Sequence, residues 1–196
     1  MTAGRRVGLA LVATLAVLVT ACGGSSTPTT APSITGSIAP GGSGGDFATS
    51  AKLEATLPTS VGGVTLQTGS INVLQQYTTG NQTTNLLTLL IAGLGVSPAQ
   101  VGVAAAADTD GKIQILAAEF NGVSSSAIQA QVETVAKSVD PGVTLANTTI
   151  GGKSVTTATF PGSKTGPVIA YITGDTLYLV QSSDPALAED ALKQLP

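Results

Sequence analysis

Apolar positions repeat differently in three stretches of the chain. Val7 to Val19 is an apolar run of 13 residues, broken only by Gly8 and Thr14 and entered through Arg5-Arg6. It is shorter than the ~20 residues a membrane-crossing helix needs, and a short basic segment before it marks an export leader. From Gly23 to Gly45 the apolar signal vanishes. Only Ile34 and Ile38 interrupt Gly, Ser, Thr, Pro and Ala, and no charge occurs. Such a segment cannot bury enough surface to offset its ordering entropy, so it predicts a flexible tether spanning roughly 25–30 Å. Periodicity returns at Asp46 and continues to the end, about 150 residues, the size of one domain. The expected division is therefore a leader over 1–21, a tether over 22–45 and a single domain over 46–196.

Inside the domain, helical and extended patterns alternate. Phe47, Ala51, Leu53 and Ala55 give partial helical spacing, ended by Pro58 and Gly62-Gly63. Val64 to Leu66 and Ile71 to Tyr77 read as extended, with Gly69-Ser70 between them as a hairpin turn or bulge. Asn81 to Leu94 is an apolar helix that Asn81 or Asn85 can cap and Gly93 or Gly95 can end. Val101 to Ala107 and Lys112 to Phe120 are strands around Asp108-Thr109-Asp110-Gly111, an Asp-Gly hairpin signal. Ser124 to Asp140 is amphipathic: Ile128, Val132, Val135 and Val139 make one stripe. Ser126 with Gln129 fits a capping box, and Pro141-Gly142 stops the helix. Four strands follow over 143–149, 154–160, 167–173 and 176–182, turning at Gly151-Gly152 and Gly174-Asp175. Asp184-Pro185 then opens a helix with Leu187, Ala188, Ala191, Leu192 and Leu195 on its buried side.

Hairpin-joined strands favour an antiparallel sheet over a parallel wind. The fold expected is α+β: about six antiparallel strands with helices packed on one face. Strand, glycine turn, strand, helix occurs twice, over 101–139 and 167–195, which suggests an internal duplication. The strand over 112–120 alternates poorly because alanines blur it, so its faces are not assigned.

Composition narrows the chemistry. Apolar residues make up 42%, supplied by Ala, Val, Leu and Ile; Trp is absent and aromatics are 3%. Stacking platforms for bases or sugars are therefore scarce. The 8 basic residues against 11 acidic give −3, and losing Arg5 and Arg6 with the leader gives −5. An acidic, charge-poor surface repels phosphate backbones, so nucleic acid is not an expected partner. There is no histidine, and no cysteine besides Cys22. Ser-His-Asp and Cys-His catalysis, His-based zinc sites, thiol redox chemistry and internal disulfides are excluded.

That single cysteine closes the apolar run. Val19-Thr20-Ala21-Cys22 resembles, at all four positions, the lipobox of bacterial membrane lipoproteins, with Val where Leu is more usual. The resemblance implies cleavage between Ala21 and Cys22, a diacylglycerol thioether on Cys22 and often an acyl group on the new amine. The chain would then sit on the extracytoplasmic face of the cell membrane, held by lipid, since two or more acyl chains anchor stably. The domain itself, with its Leu57-Pro58 and Val61-Gly62-Gly63-Val64 opening, Gly174-Asp175 hairpin and Leu195-Pro196 ending, is similar to secreted proteins of high-GC monoderm bacteria. That likeness implies no activity.

Other motifs fail on spacing. Gly41-Gly42-Ser43-Gly44-Gly45 matches a nucleophile elbow but lies in the tether, with no histidine to act as base. Asp108-x-Asp110-Gly111 lacks the calcium-loop ligands, because those positions are Ala106 and Ala117. Gly152-Lys153-Ser154 and Gly162-Ser163-Lys164-Thr165-Gly166 lack the order and flanks of a phosphate loop. Carboxylates at Asp108, Asp110, Glu119, Asp175 and Asp184 could in principle do acid-base or metal work, but turns and helix caps favour acids at most of those places. Three functions are thus open. The first is a non-enzymatic binding domain whose partner is an envelope protein. The second is a carrier of a small apolar ligand, with Leu86, Leu87, Leu90 and Leu94 walling a pocket. The third is a carboxylate enzyme. The first is the expectation, with no metal and no cofactor beyond the covalent lipid.

Overall fold

The strand without clean alternation lies in the interior of the fold. A computed structural model describes residues 47–71, 86–163 and 165–196. In chain order the elements are α1 (Phe47–Glu54), β1 (Ser60–Val61), β2 (Val64–Thr65), β3 (Gln67–Ile71), α2 (Leu86–Leu94), a 3-10 turn (Pro98–Gln100), β4 (Val101–Ala107) and β5 (Ile113–Phe120). Then come α3 (Ser125–Val139), β6 (Thr144–Ile150), β7 (Lys153–Thr159), β8 (Val168–Thr173), β9 (Thr176–Ser182) and α4 (Pro185–Gln194). The leader, the tether with its Gly41–Gly45 motif, the extended reading over 72–77 and the caps Asn81 and Asn85 lie outside the described residues.

Seven strands form one antiparallel sheet in the order β3-β4-β5-β9-β8-β7-β6, and β1 pairs with β2 separately. The α+β class and the antiparallel sheet are as expected; the strands number seven in that sheet and two in the small one. Helix placement differs from expectation. Ile113, Ile115, Ala117, Tyr178 and Val180 bury against α1 and α4 through Leu53, Ala188, Ala191 and Leu192. Their alternates Val103, Ala118, Phe120 and Leu177 bury against α2 and α3 through Leu87, Leu90, Ile128 and Val135. Helices therefore cover both faces, not one. The inner strands are buried on both sides, and such strands read as apolar runs with no alternation.

The sequence between elements explains the joints. Ile150 pairs with Lys153 across Gly151-Gly152, both with positive φ (60° and 82°). A two-residue hairpin turn of that hand suits glycine, which has no Cβ to clash. The Asp108 carboxylate closes the β4–β5 hairpin, accepting from the Asp110 N–H at 3.1 Å and the Ile113 N–H at 2.9 Å. Asp184 caps α4, accepting from the Ala186 N–H at 2.9 Å, with Pro185 behind it.

Two local expectations are corrected. The α3 cap is Ser124, whose hydroxyl accepts from the Ala127 N–H at 3.3 Å. Ser126 instead meets the Ser124 hydroxyl, and Gln129 reaches Thr156 on the sheet. Either serine sits before a suitable helical run, so spacing alone did not separate them. Gly69-Ser70 is not a turn; both lie inside β3, opposite Ala105 and Ala104.

The suspected duplication is partial. β5 and β9 are antiparallel neighbours, flanked by β4 and β8. A two-fold axis through that seam, normal to the sheet, would put both trailing helices on one face. Instead α3 joins one core and α4 the other. The strand hairpins repeat and the helices do not.

Candidate functional site

An apolar concavity lies on the α2/α3 face. α2 contributes Leu86 and Leu90, α3 contributes Val132, Val135 and Ala136, and the sheet contributes Leu145, Thr156, Ala158, Phe160, Val168, Ala170 and Leu179. Threonine is the one polar residue among them. Gln131 of α3 lies against Gly93 of α2, where a Cβ would run into the Gln131 side chain. Gln131 Nε2 in turn donates to the Leu89 carbonyl at 3.3 Å, fastening one helix to the other.

Of the four leucines expected to wall a pocket, the structure brings Leu86 and Leu90 to the cleft. Leu87, 4% exposed, is core, and Leu94 packs against that core from its edge. The cleft encloses ≈ 40 Å³. That is room for a water or so, against the roughly 300–1,000 Å³ of small-molecule sites.

A polar chain borders the cleft and had no signature in the sequence. Thr156, 5% exposed, donates its hydroxyl to Asn147 Oδ1 at 2.6 Å and accepts from Gln129 Nε2 at 2.8 Å. Gln129 also donates to Glu133 Oε1 at 2.7 Å. These residues come from α3, β6 and β7, and only pairing of the strands with the helix above them brings the four together. The apolar contributors from α3 were more legible, since Val132 and Val135 belong to its stripe.

The candidate carboxylates do not converge. Asp108, Asp110 and Asp184 lie at the end of the sheet where Ile113 pairs with Ser182. Glu119 and Asp175 lie at the other end, where Glu119 pairs with Thr176. Six residues of strand, roughly 20 Å, separate the two ends. Asp110 ion-pairs with exposed Lys112 at 2.9 Å, which raises the lysine pKa first through that hydrogen bond and then through the charge. Among the described residues no group of three or more His, Cys, Asp or Glu could hold a metal ion.

The opposite face carries the aromatic feature. Tyr171 and Tyr178 stack with ring centroids 5.9 Å apart, and Lys153 Nζ sits 4.6 Å from the Tyr171 centroid. Lys153 Nζ and the Tyr171 hydroxyl each donate to the Pro196 carbonyl at 2.8 Å. Burial pushes the Tyr178 phenol pKa above its ordinary 10.0, opposed by the hydrogen bond it shares with Thr56. The ring is 2% exposed, so this is a structural element of the core. Gly152-Lys153-Ser154 thus belongs to a hairpin whose lysine holds the chain's last residue, and a strand rather than a helix follows it.

Compared with known proteins, the chain matches no family model, no curated protein and no solved structure.

Proposed function

We propose that this chain is a bacterial membrane lipoprotein, anchored through lipid on Cys22, whose α+β domain works by binding at the extracytoplasmic face of the cell membrane and not by catalysis. The observation that carries this reading is Val19-Thr20-Ala21-Cys22 at the end of a 13-residue apolar run behind Arg5-Arg6. Lipid supplies attachment at ~0.8 kcal/mol per buried methylene, and the uncharged segment that follows has the composition of a tether. Support for binding over catalysis comes from how the acids are used. Asp108, Asp184, Asp140 and Glu54 each accept hydrogen bonds that fix a turn, a cap or a neighbouring strand. The partner proposed is a protein of the envelope.

The test is fractionation of cells carrying the wild-type chain or Cys22→Ala, with and without globomycin to block leader cleavage. The wild type partitions with membranes, globomycin leaves its leader uncut, and Cys22→Ala is no longer held there by lipid. A Cys22→Ala chain that stays membrane-bound would sink the reading.

A second reading rests on the cleft of Leu86, Leu90 and their apolar neighbours, as the seat of a small apolar ligand. At ≈ 40 Å³ an acyl chain enters only if α2 parts from the sheet. Native mass spectrometry of the purified chain decides it: a copurifying lipid supports the carrier, and a bare chain removes it.

A further inference from the structure

We propose that the free edge of β6 pairs with the same edge of a second copy, joining two sheets across a two-fold axis at Asn147. The inference concerns the domain alone and stands independently of the reading of Cys22. β6 is the last strand of the sheet. Ile150 pairs with Lys153 across a two-residue turn, so residues 150, 148, 146 and 144 bond to β7. Leu145, Asn147 and Thr149 therefore turn their backbone N–H and C=O groups outward, and no backbone partner meets them among the described residues.

Sheet edges of this kind are ordinarily blunted by short length, proline, charge or a bulge. β6 has none of these: Thr144-Leu-Ala-Asn-Thr-Thr-Ile150 runs seven residues, uncharged and in unbroken register. β3, the other edge strand, runs five residues, contains Gly69 and has the Glu54 carboxylate accepting from Thr68 and Ser70. The two edges are not equivalent, and among the described residues β6 is the one left open.

A second copy is the occupant because the edge is complementary to itself. Antiparallel pairing centred on Asn147 sets residue 145 opposite 149 and 147 opposite 147, so every outward group finds a partner in about six hydrogen bonds. Across the axis, Leu145 meets Thr149 and Ala146 meets Thr148, with no like charges facing. The same two-fold runs the two α3 helices antiparallel on one face of the joined sheet, the reciprocal arrangement of an isologous interface.

The experiment is sedimentation of the full chain in mild detergent. The wild type should sediment as two copies. Asn147→Lys places two like charges opposite each other and should weaken the dimer on the order of tenfold; Asn147→Glu should do the same. An equal mixture of the two variants should recover the dimer, which misfolded chains would not do. If Asn147→Lys loses its circular dichroism, Thr149→Pro takes its place, because it deletes one outward N–H and no bond to β7. A wild type that sediments as one copy at tens of micromolar overturns the proposal. So does a dimer that survives these substitutions, which would be held by its anchor or by another face.

Discussion

The two faces of the sheet are built from the same few aliphatic residue types and are closed to different degrees. On the α1/α4 face, alanines do the fitting. Ala191 and Leu192 are both fully buried, and Val61 of the small hairpin reaches the same core. The longest side chains there, Tyr171 and Tyr178, are tied by stacking and hydrogen bonds. On the α2/α3 face, large side chains such as Phe120 and Ile128 fill the centre, while the margin over β6, β7 and β8 stays open as the apolar cleft. Interior packing is a matter of shape as much as composition. A face that can be sealed with small residues has no slack, whereas one that spans the end of a sheet under two helices leaves a gap.

The largest consequence is in truncation of matched leucines. Leu192→Ala on the sealed face should cost about 4 kcal/mol and Leu90→Ala beside the cleft about 2 kcal/mol, within the range of about 2–5 kcal/mol for buried leucine. Urea unfolding reads both; equal losses would erase the distinction between the faces. Enlargement gives the reverse test. Ala191→Leu has nowhere to go and should destabilise by about 1–3 kcal/mol. Ala158→Val points into the cleft and should leave stability unchanged or raise it by up to about 1 kcal/mol. A matching penalty at Ala158 would mean the cleft is already filled.

The smallest effect is in pH. Tyr178 has a folded-state pKa above its unfolded value of 10.0 because burial disfavours the phenolate. The folded chain holds that proton more tightly, so its contribution is complete below pH 10 and is lost as pH rises through the folded value. Wild type should therefore lose stability faster than Tyr178→Phe in unfolding series above pH 10. Parallel curves would show that the ring is not the titrating group. The comparison with Tyr178→Phe also cancels every contribution that the two chains share.

Much of this architecture was written in the chain, and the reason differs by element. Strand ends and hairpins were legible because Gly151-Gly152 and Gly174-Asp175 make two-residue turns by sterics alone, and Asp108 with Gly111 marks the longer loop between β4 and β5. The α3 stripe was legible because Ile128, Val132 and Val135 repeat with the helix. The second helical layer was not, although its sign was present: the blurred alternation of β5 is what a strand covered on both sides produces. A period-2 reading treats that blur as noise. Gly69-Ser70 misled because a glycine can sit inside an edge strand without marking a turn: Gly69 pairs with Ala105, and a Cβ on it would meet nothing within 4 Å. At the cleft, Leu86 and Leu90 line the wall while Leu87 and Leu94 pack elsewhere, because one helix turns its leucines in different directions. The Gln129, Thr156 and Asn147 chain depended on strand register, which no local pattern encodes.

The most direct test of the account is the intact mass of the chain extracted from membranes. Lipid attachment predicts a polypeptide beginning at Cys22 and heavier than residues 22–196 by a diacylglyceryl group, with or without an added N-acyl chain. A chain beginning elsewhere, or one beginning at Cys22 with an unmodified sulfur, would contradict it.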